Sequence, residues 1–180
     1  VKTDPHHPII PSSQPKTTTM TEIARYRLPS ENQLTEVYRQ HIHDWPKYFK
    51  MDNLGKLGFV GVEMALRQSK CFLDSEKTCI IMANRISSTK DNREFAATIE
   101  NHEQYFPSPA LFVYTVPNVV TGEIAIRHQI YGETSFYVLD KEEDLMPILQ
   151  STAQTTEANQ MIVGWLEEGE ATIRIFEINK

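Results

Sequence analysis

Residues 135–149 read SFYVLDKEEDLMPIL. The first part alternates and carries Phe136, Tyr137 and Val138, aromatic and β-branched residues that suit a pleated strand. The last part, continued through Thr155, has the spacing of a buried helix. Pro147 would cost about 3 kcal/mol inside a helix, so the helix is expected to start near Asp144, with Pro147 in its first turn. A strand that turns sharply into a helix holds the nucleophile in several enzyme folds. Here the turn holds Asp140, Lys141, Glu142 and Glu143. Clustered carboxylates at a helix start complement its dipole, each contributing up to ~1 kcal/mol, and that reading is preferred to a general-acid pair.

Working outward, TCIIM at 78–82 is a buried strand. The segments 159–167 and 171–178 are two further strands, joined by a Gly-Glu hairpin signal at 169–170. Helical spacing runs through 30–45, with a capping signal at Ser30, and through 51–68. In the second of these helices Gly55, Gly58 and Gly61 recur every three residues, which points to close backbone packing. Further helices are expected over 90–106 and 117–130. Residues 1–30, rich in Pro, Thr and Ser, read as an arm whose one apolar pair, Ile9-Ile10, is a brief strand at 8–11. Residues 31–180 read as one α/β domain with a parallel sheet and an antiparallel edge.

The chain has 180 residues, 40% hydrophobic and 23% charged, with a net charge of -6 and no dense basic cluster. Nucleic acid is not an expected partner, because neutralising phosphates takes clustered Lys and Arg. No apolar run is long enough for a membrane span, and the N-terminus lacks the basic and apolar regions of a signal peptide. Two cysteines, Cys71 and Cys79, make no disulfide framework, so a cytoplasmic location is expected. Cys79 reads as a small buried residue in its strand and Cys71 has no base nearby in sequence. Ser87 and Ser88 follow a strand without a G-x-S-x-G elbow, and no Gly-rich phosphate loop occurs. His6, His7, His41, His43, His102 and His128 do not fall at ligand spacing. Neither a metal nor a cofactor is therefore expected.

Residues 105–138, YFPSPALFVYTVPNVVTGEIAIRHQIYGETSFYV, resemble the β-ketoacyl-acyl carrier protein synthases. The resemblance rests on Ser108-Pro109, Pro117-Asn118, Gly122, Ile124, Ile126 and Gly132, and upstream on Met51-Asp52. Phe95 lies near an aromatic position of the family's next helix, and Trp165 stands where the family has a small residue. The resemblance spans roughly residues 46–168 and is patchy, but its elements keep the family's order. It implies half of a thiolase-like fold, a five-stranded mixed sheet of order 3-2-1-4-5 with helices packed on it. It also places the family's nucleophilic cysteine near Asp140 or Lys141. Carboxylate and ammonium are poor acyl carriers beside a thiolate. The family's two histidines and lysine belong to a second half, which is expected to be missing here.

The strand Thr134, Ser135, Phe136, Tyr137, Val138 would be a sheet edge, and in the family this edge pairs antiparallel across a dimer two-fold. An exposed apolar edge also calls for a partner on physical grounds. The resemblance thus implies a catalytically inactive accessory or structural partner in fatty acid, polyketide or aryl-polyene-type pigment synthesis. Its partners would be a second copy or another synthase-like chain, and an acyl carrier protein. The alternative is an acyl-binding protein or acyltransferase with a non-cysteine site, near Asn84, Arg85, Asn118 and Arg127. The bland reading of that group is that Asn118 caps a helix and Arg127 pairs with an acid.

Overall fold

The computed structural model describes residues 17–28, 33–100, 103 and 105–180. The strand expected at 8–11, the cap at Ser30, and His6, His7 and His102 lie outside the described residues. Five strands form one sheet, ordered β1-β5-β4-β2-β3. They are β1 (Thr19–Leu28), β2 (Thr78–Asn84), β3 (Thr134–Val138), β4 (Gln160–Glu167) and β5 (Glu170–Asn179). β4 and β5 form the expected hairpin, turning at Glu168-Gly169 with Gly169 at φ +90°. β2 runs parallel to β3 and β4, while β5 is antiparallel to both β4 and β1.

The mixed five-stranded sheet is the expected one, with the first strand in a different place. The order 3-2-1-4-5 would put it between β2 and β4. Those two pair directly, Ile80 opposite Ile162, so no strand fits between them. The first strand instead covers the free side of β5, with Tyr26 opposite Ile173. It is built from residues 19–28, which the sequence had suggested were part of an arm. The ladder is interrupted by a register shift between Glu22 and Ala24. Met20 packs on one side of the sheet, whereas Ile23, Ala24 and Tyr26 pack on the other. A bulge of this kind breaks period-two alternation and hides a strand from a pattern reading.

Among the described residues six α-helices flank the sheet: α1 (Leu34–His41), α2 (Asn53–Ser69), α3 (Thr89–Ala97), α4 (Pro109–Val113), α5 (Val119–His128) and α6 (Leu145–Thr155). α1, α2 and α5 build one core with Ile80, Met82, Ile162, Ile173 and Ile175. α6 builds the other with Cys79, Ile81, Val163, Trp165 and Phe176. The glycine spacing in α2 is explained by contact. A Cβ at Gly58 would strike Val120 of α5, and one at Gly61 would strike Ile173 of β5. Trp165 is 7% exposed and fills the α6 side, where a small residue would leave a void. α3 is shorter than the expected 90–106 helix. It stops at Ala97, where the Thr98 hydroxyl turns back to the Phe95 carbonyl at 2.7 Å. α6 starts at Leu145 after a 3-10 turn over Glu142–Asp144, so Pro147 sits in the first turn as expected.

Candidate functional site

The turn after β3 is the place to look for a nucleophile. β3 enters from Gly132 and is aligned on β2 by Ile80 N–H donating to Glu133 O at 2.9 Å and Leu139 N–H donating to Asn84 O at 2.9 Å. Asp140 and Lys141 then stand exposed. Lys141 has extended backbone, φ -155°, and makes no side-chain cap. Glu142 turns sideways to the guanidinium of Arg174 at 3.3 Å. The dipole-facing acids therefore sit on a 3-10 turn and one of them pairs across to β5. Neither Asp140 nor Lys141 is held in a strained elbow.

The left-handed residues elsewhere are His43, Lys70, Ser87 and Gln129. Ser87, at φ 58°, follows β2. Asn84 clamps it: the Asn84 amide donates to Ser87 O at 2.8 Å, and Ser87 N–H donates to Asn84 Oδ1 at 2.7 Å. Ser88 is buried and donates to Thr115 O at 2.5 Å. The Ser87 backbone and the Ser88 hydroxyl thus have structural occupations. The cleft beside them, lined by Leu54, Leu57, Asn84, Ile86, Asp91 and Leu166, holds about 60 Å³. Small-molecule pockets run from roughly 300 to 1,000 Å³.

Neither thiol is activated. Cys79 is buried in β2, and burial, with Glu133 adding, pushes it up to about 12. Cys71 is half-buried and is also raised, by burial first and then by Glu177, against a hydrogen bond from Gln160. No group of three or more His, Cys, Asp or Glu among the described residues is placed to hold a metal. His41 and His43 are exposed.

The alternative site is dispersed. Asn84 is engaged by Ser87, and Arg85 binds Glu167 at 3.2 Å. Asn118 is at the N-cap position of α5 and accepts the Thr121 hydroxyl at 2.8 Å. Arg127 donates its Nε to Glu63 at 2.9 Å and a terminal nitrogen to Asp44 at 2.8 Å. His128 Nε2 also reaches Glu63, at 3.1 Å. Burial raises the Glu63 carboxyl, but the hydrogen bonds from His128 and Arg127 outweigh it and hold the group below its ordinary value. Arg127 thus pairs with acids, as the sequence suggested, but the sequence did not say which, because Glu63 is 64 residues away.

The motif residues serve the scaffold in different ways. Met51 is buried, and Asp52 caps α2 by accepting Gly55 N–H at 2.8 Å. Ser108 caps α4 and Pro109 opens it, while Pro117 precedes α5. Ile124 is buried and Ile126 points outward at 56% exposure. Gly132 packs on the carbonyl of Thr78, whereas Gly122 has open space around it. Phe95 contacts Phe112, ring centroids 5.3 Å apart.

No protein-family model matches the chain, and no curated protein matches it either. Its fold does match solved ketosynthase structures. The ishigamide ketosynthase/chain length factor superposes at TM-score 0.68 with 14% identity, over 88% of this chain and 62% of that one. A ketosynthase (ApeO) in complex with its chain length factor (ApeC), from Xenorhabdus doucetiae, gives 0.60 and 12%, over 88% and 79%. AntDE:AntF, a type II PKS acyl-carrier protein in complex with its ketosynthase, gives 0.62 and 15%, over 88% and 62%. The chain therefore has the thiolase-like fold of ketosynthases and chain length factors. It spans 62% of the length of the first and third of these structures. No helix among the described residues is long and apolar enough to cross a membrane.

Proposed function

We propose that this chain is a non-catalytic ketosynthase-like partner in polyketide, aryl-polyene-type pigment or fatty acid synthesis, acting in the cytoplasm. One observation carries the reading: the scaffold is kept, but the position expected for the nucleophile is an exposed Asp140-Lys141 turn without a thiol. The similar structures support it, since one is titled as a ketosynthase in complex with its chain length factor and another as a ketosynthase with an acyl-carrier protein. Residues 19–28 add β1 to the domain proposed over 31–180, and the two act as one ketosynthase N-terminal-like unit.

The partner is a second ketosynthase-like chain, this one or a catalytic relative, and it joins at the free edge of β3. Among the described residues β3 is bonded to β2 alone. Phe136 packs into the core under α2, and Tyr137 and Leu139 into the core under α6. The ladder directs Glu133, Ser135, Tyr137 and Leu139 toward β2. Strand alternation then turns the N–H and C=O groups of Thr134, Phe136 and Val138 to the free edge. Val138 is also 54% exposed in its side chain. An antiparallel partner strand satisfies these groups across a two-fold axis.

Incubation with malonyl- and acyl-carrier proteins tests the catalytic half of the reading. Intact mass should show no acyl-enzyme, and chromatography no condensation product. An acyl adduct on Cys71 or Cys79 would overturn it.

A further inference from the structure

The sheet has two outer strands, and they are built differently. β3 lies at one end and β1 at the other. β1 covers β5 along its length, from Thr19 opposite Asn179 to Leu28 opposite Ala171. β5 is a ten-residue strand with Ile173, Ile175, Phe176 and Ile178 buried. Left bare, it would be a long apolar edge, the kind that templates pairing with further chains.

β1 replaces that edge with one that is broken and charged. Its pairing with β5 jumps between Glu22 and Ala24, so Ile23 is an extra residue. Such a bulge puts the two ends of the strand out of phase, and a regular strand cannot follow both. Beyond it, Ala24 and Tyr26 pack into the core under α2. Alternation then turns Arg25 and Arg27 to the opposite face. Both are exposed. Arg25 stands opposite Arg174 of β5. Each of these two has its own acid. Glu22 binds Arg25 through both oxygens, at 2.7 and 2.9 Å, and Glu142 takes Arg174 at 3.3 Å. A second copy docked antiparallel on residues 24–28 would set each Arg25 opposite the other copy's Arg27. Like charges directly opposite each other are destabilising.

β3 carries none of these features. Thr134 to Val138 pair with β2 without a shift, and none of these residues is charged.

We propose that β1 is a closed edge, whose bulge at Ile23 and arginines at 25 and 27 keep further copies from adding to the sheet there. The inference rests on the reading that chains join through β3. With one open edge and one closed, sheet growth ends at two chains instead of running on as an open filament.

Sedimentation velocity at rising micromolar concentration tests the closed edge. The wild type should stop at two chains. Arg27→Glu should open β1, because each Arg25 then faces a carboxylate. This variant should sediment as species longer than two chains that grow with concentration. It should return to two at about 1 M salt, where the screening length is about 3 Å. Arg25→Glu together with Arg27→Glu restores like charges and should stop at two. So should Arg27→Glu combined with Val138→Pro, which leaves only β1 to pair. An Arg27→Glu protein that never exceeds the wild-type size would overturn the proposal, as would equal growth of the double-glutamate variant or a wild type that grows past two chains. A wild type that stays single would overturn the β3 reading instead. Arg27→Glu should then form pairs, and the closed edge fails if it does not.

Discussion

Gly132 lies against the backbone carbonyl of Thr78 so closely that a Cβ at 132 would overlap that oxygen. The contact brings the chain onto β2 two residues before Thr134 pairs with Ile80. It fixes the register of the edge strand on which the proposed assembly depends.

Two motif glycines should therefore respond in opposite directions to alanine. Gly132→Ala displaces backbone and should lower stability by about 1–3 kcal/mol. Gly122→Ala meets nothing within 4 Å and lies inside α5. It should raise stability by roughly 0.5–1 kcal/mol through helix propensity. Urea unfolding midpoints measure both.

Glu63→Ala should cost about 3 kcal/mol, because it leaves Arg127 and His128 without their buried partner. Glu63 also predicts a pH dependence. Its carboxyl is lowered in the folded protein, so its contribution is present above the unfolded value, near 4.5, and lost as pH falls through the folded value. Asp52 runs the other way, losing its contribution as pH rises toward 6. Urea midpoints from pH 3 to 8 should be flatter on the acid side in Glu63→Gln and flatter between about 4 and 6 in Asp52→Asn.

Native alkylation should separate the thiols. Cys71 is half-buried and should label slowly, while Cys79 should label only after denaturation. Intact mass after timed exposure to iodoacetamide reads the count. Fast double labelling of the native chain would contradict the burial of β2.

The strands β2 to β5 and the helices α2, α5 and α6 were legible because each keeps one period over its length. β1 was not, since its bulge moves the apolar residues from one face to the other between Met20 and Ala24. The place of β1 was hidden as well, because no local signal says which strand it will pair with. That residues 140–141 carry no thiol was readable from the sequence. That the acid on Arg127 is Glu63, with His128 on the same carboxylate, was not, because α2 and α5 meet only in the fold.

Sedimentation velocity on Val138→Pro tests the central claim most directly. Val138 turns its N–H to the free edge and its side chain outward, so proline there removes an edge donor while leaving the ladder to β2 intact. The account predicts that the wild type, alone or co-expressed with a catalytic ketosynthase, sediments as a two-chain assembly at micromolar concentration. Val138→Pro, with an unchanged circular-dichroism spectrum, should sediment as a monomer in both settings. A wild type that stays monomeric in both, or a variant that assembles as well as the wild type, would contradict pairing through β3.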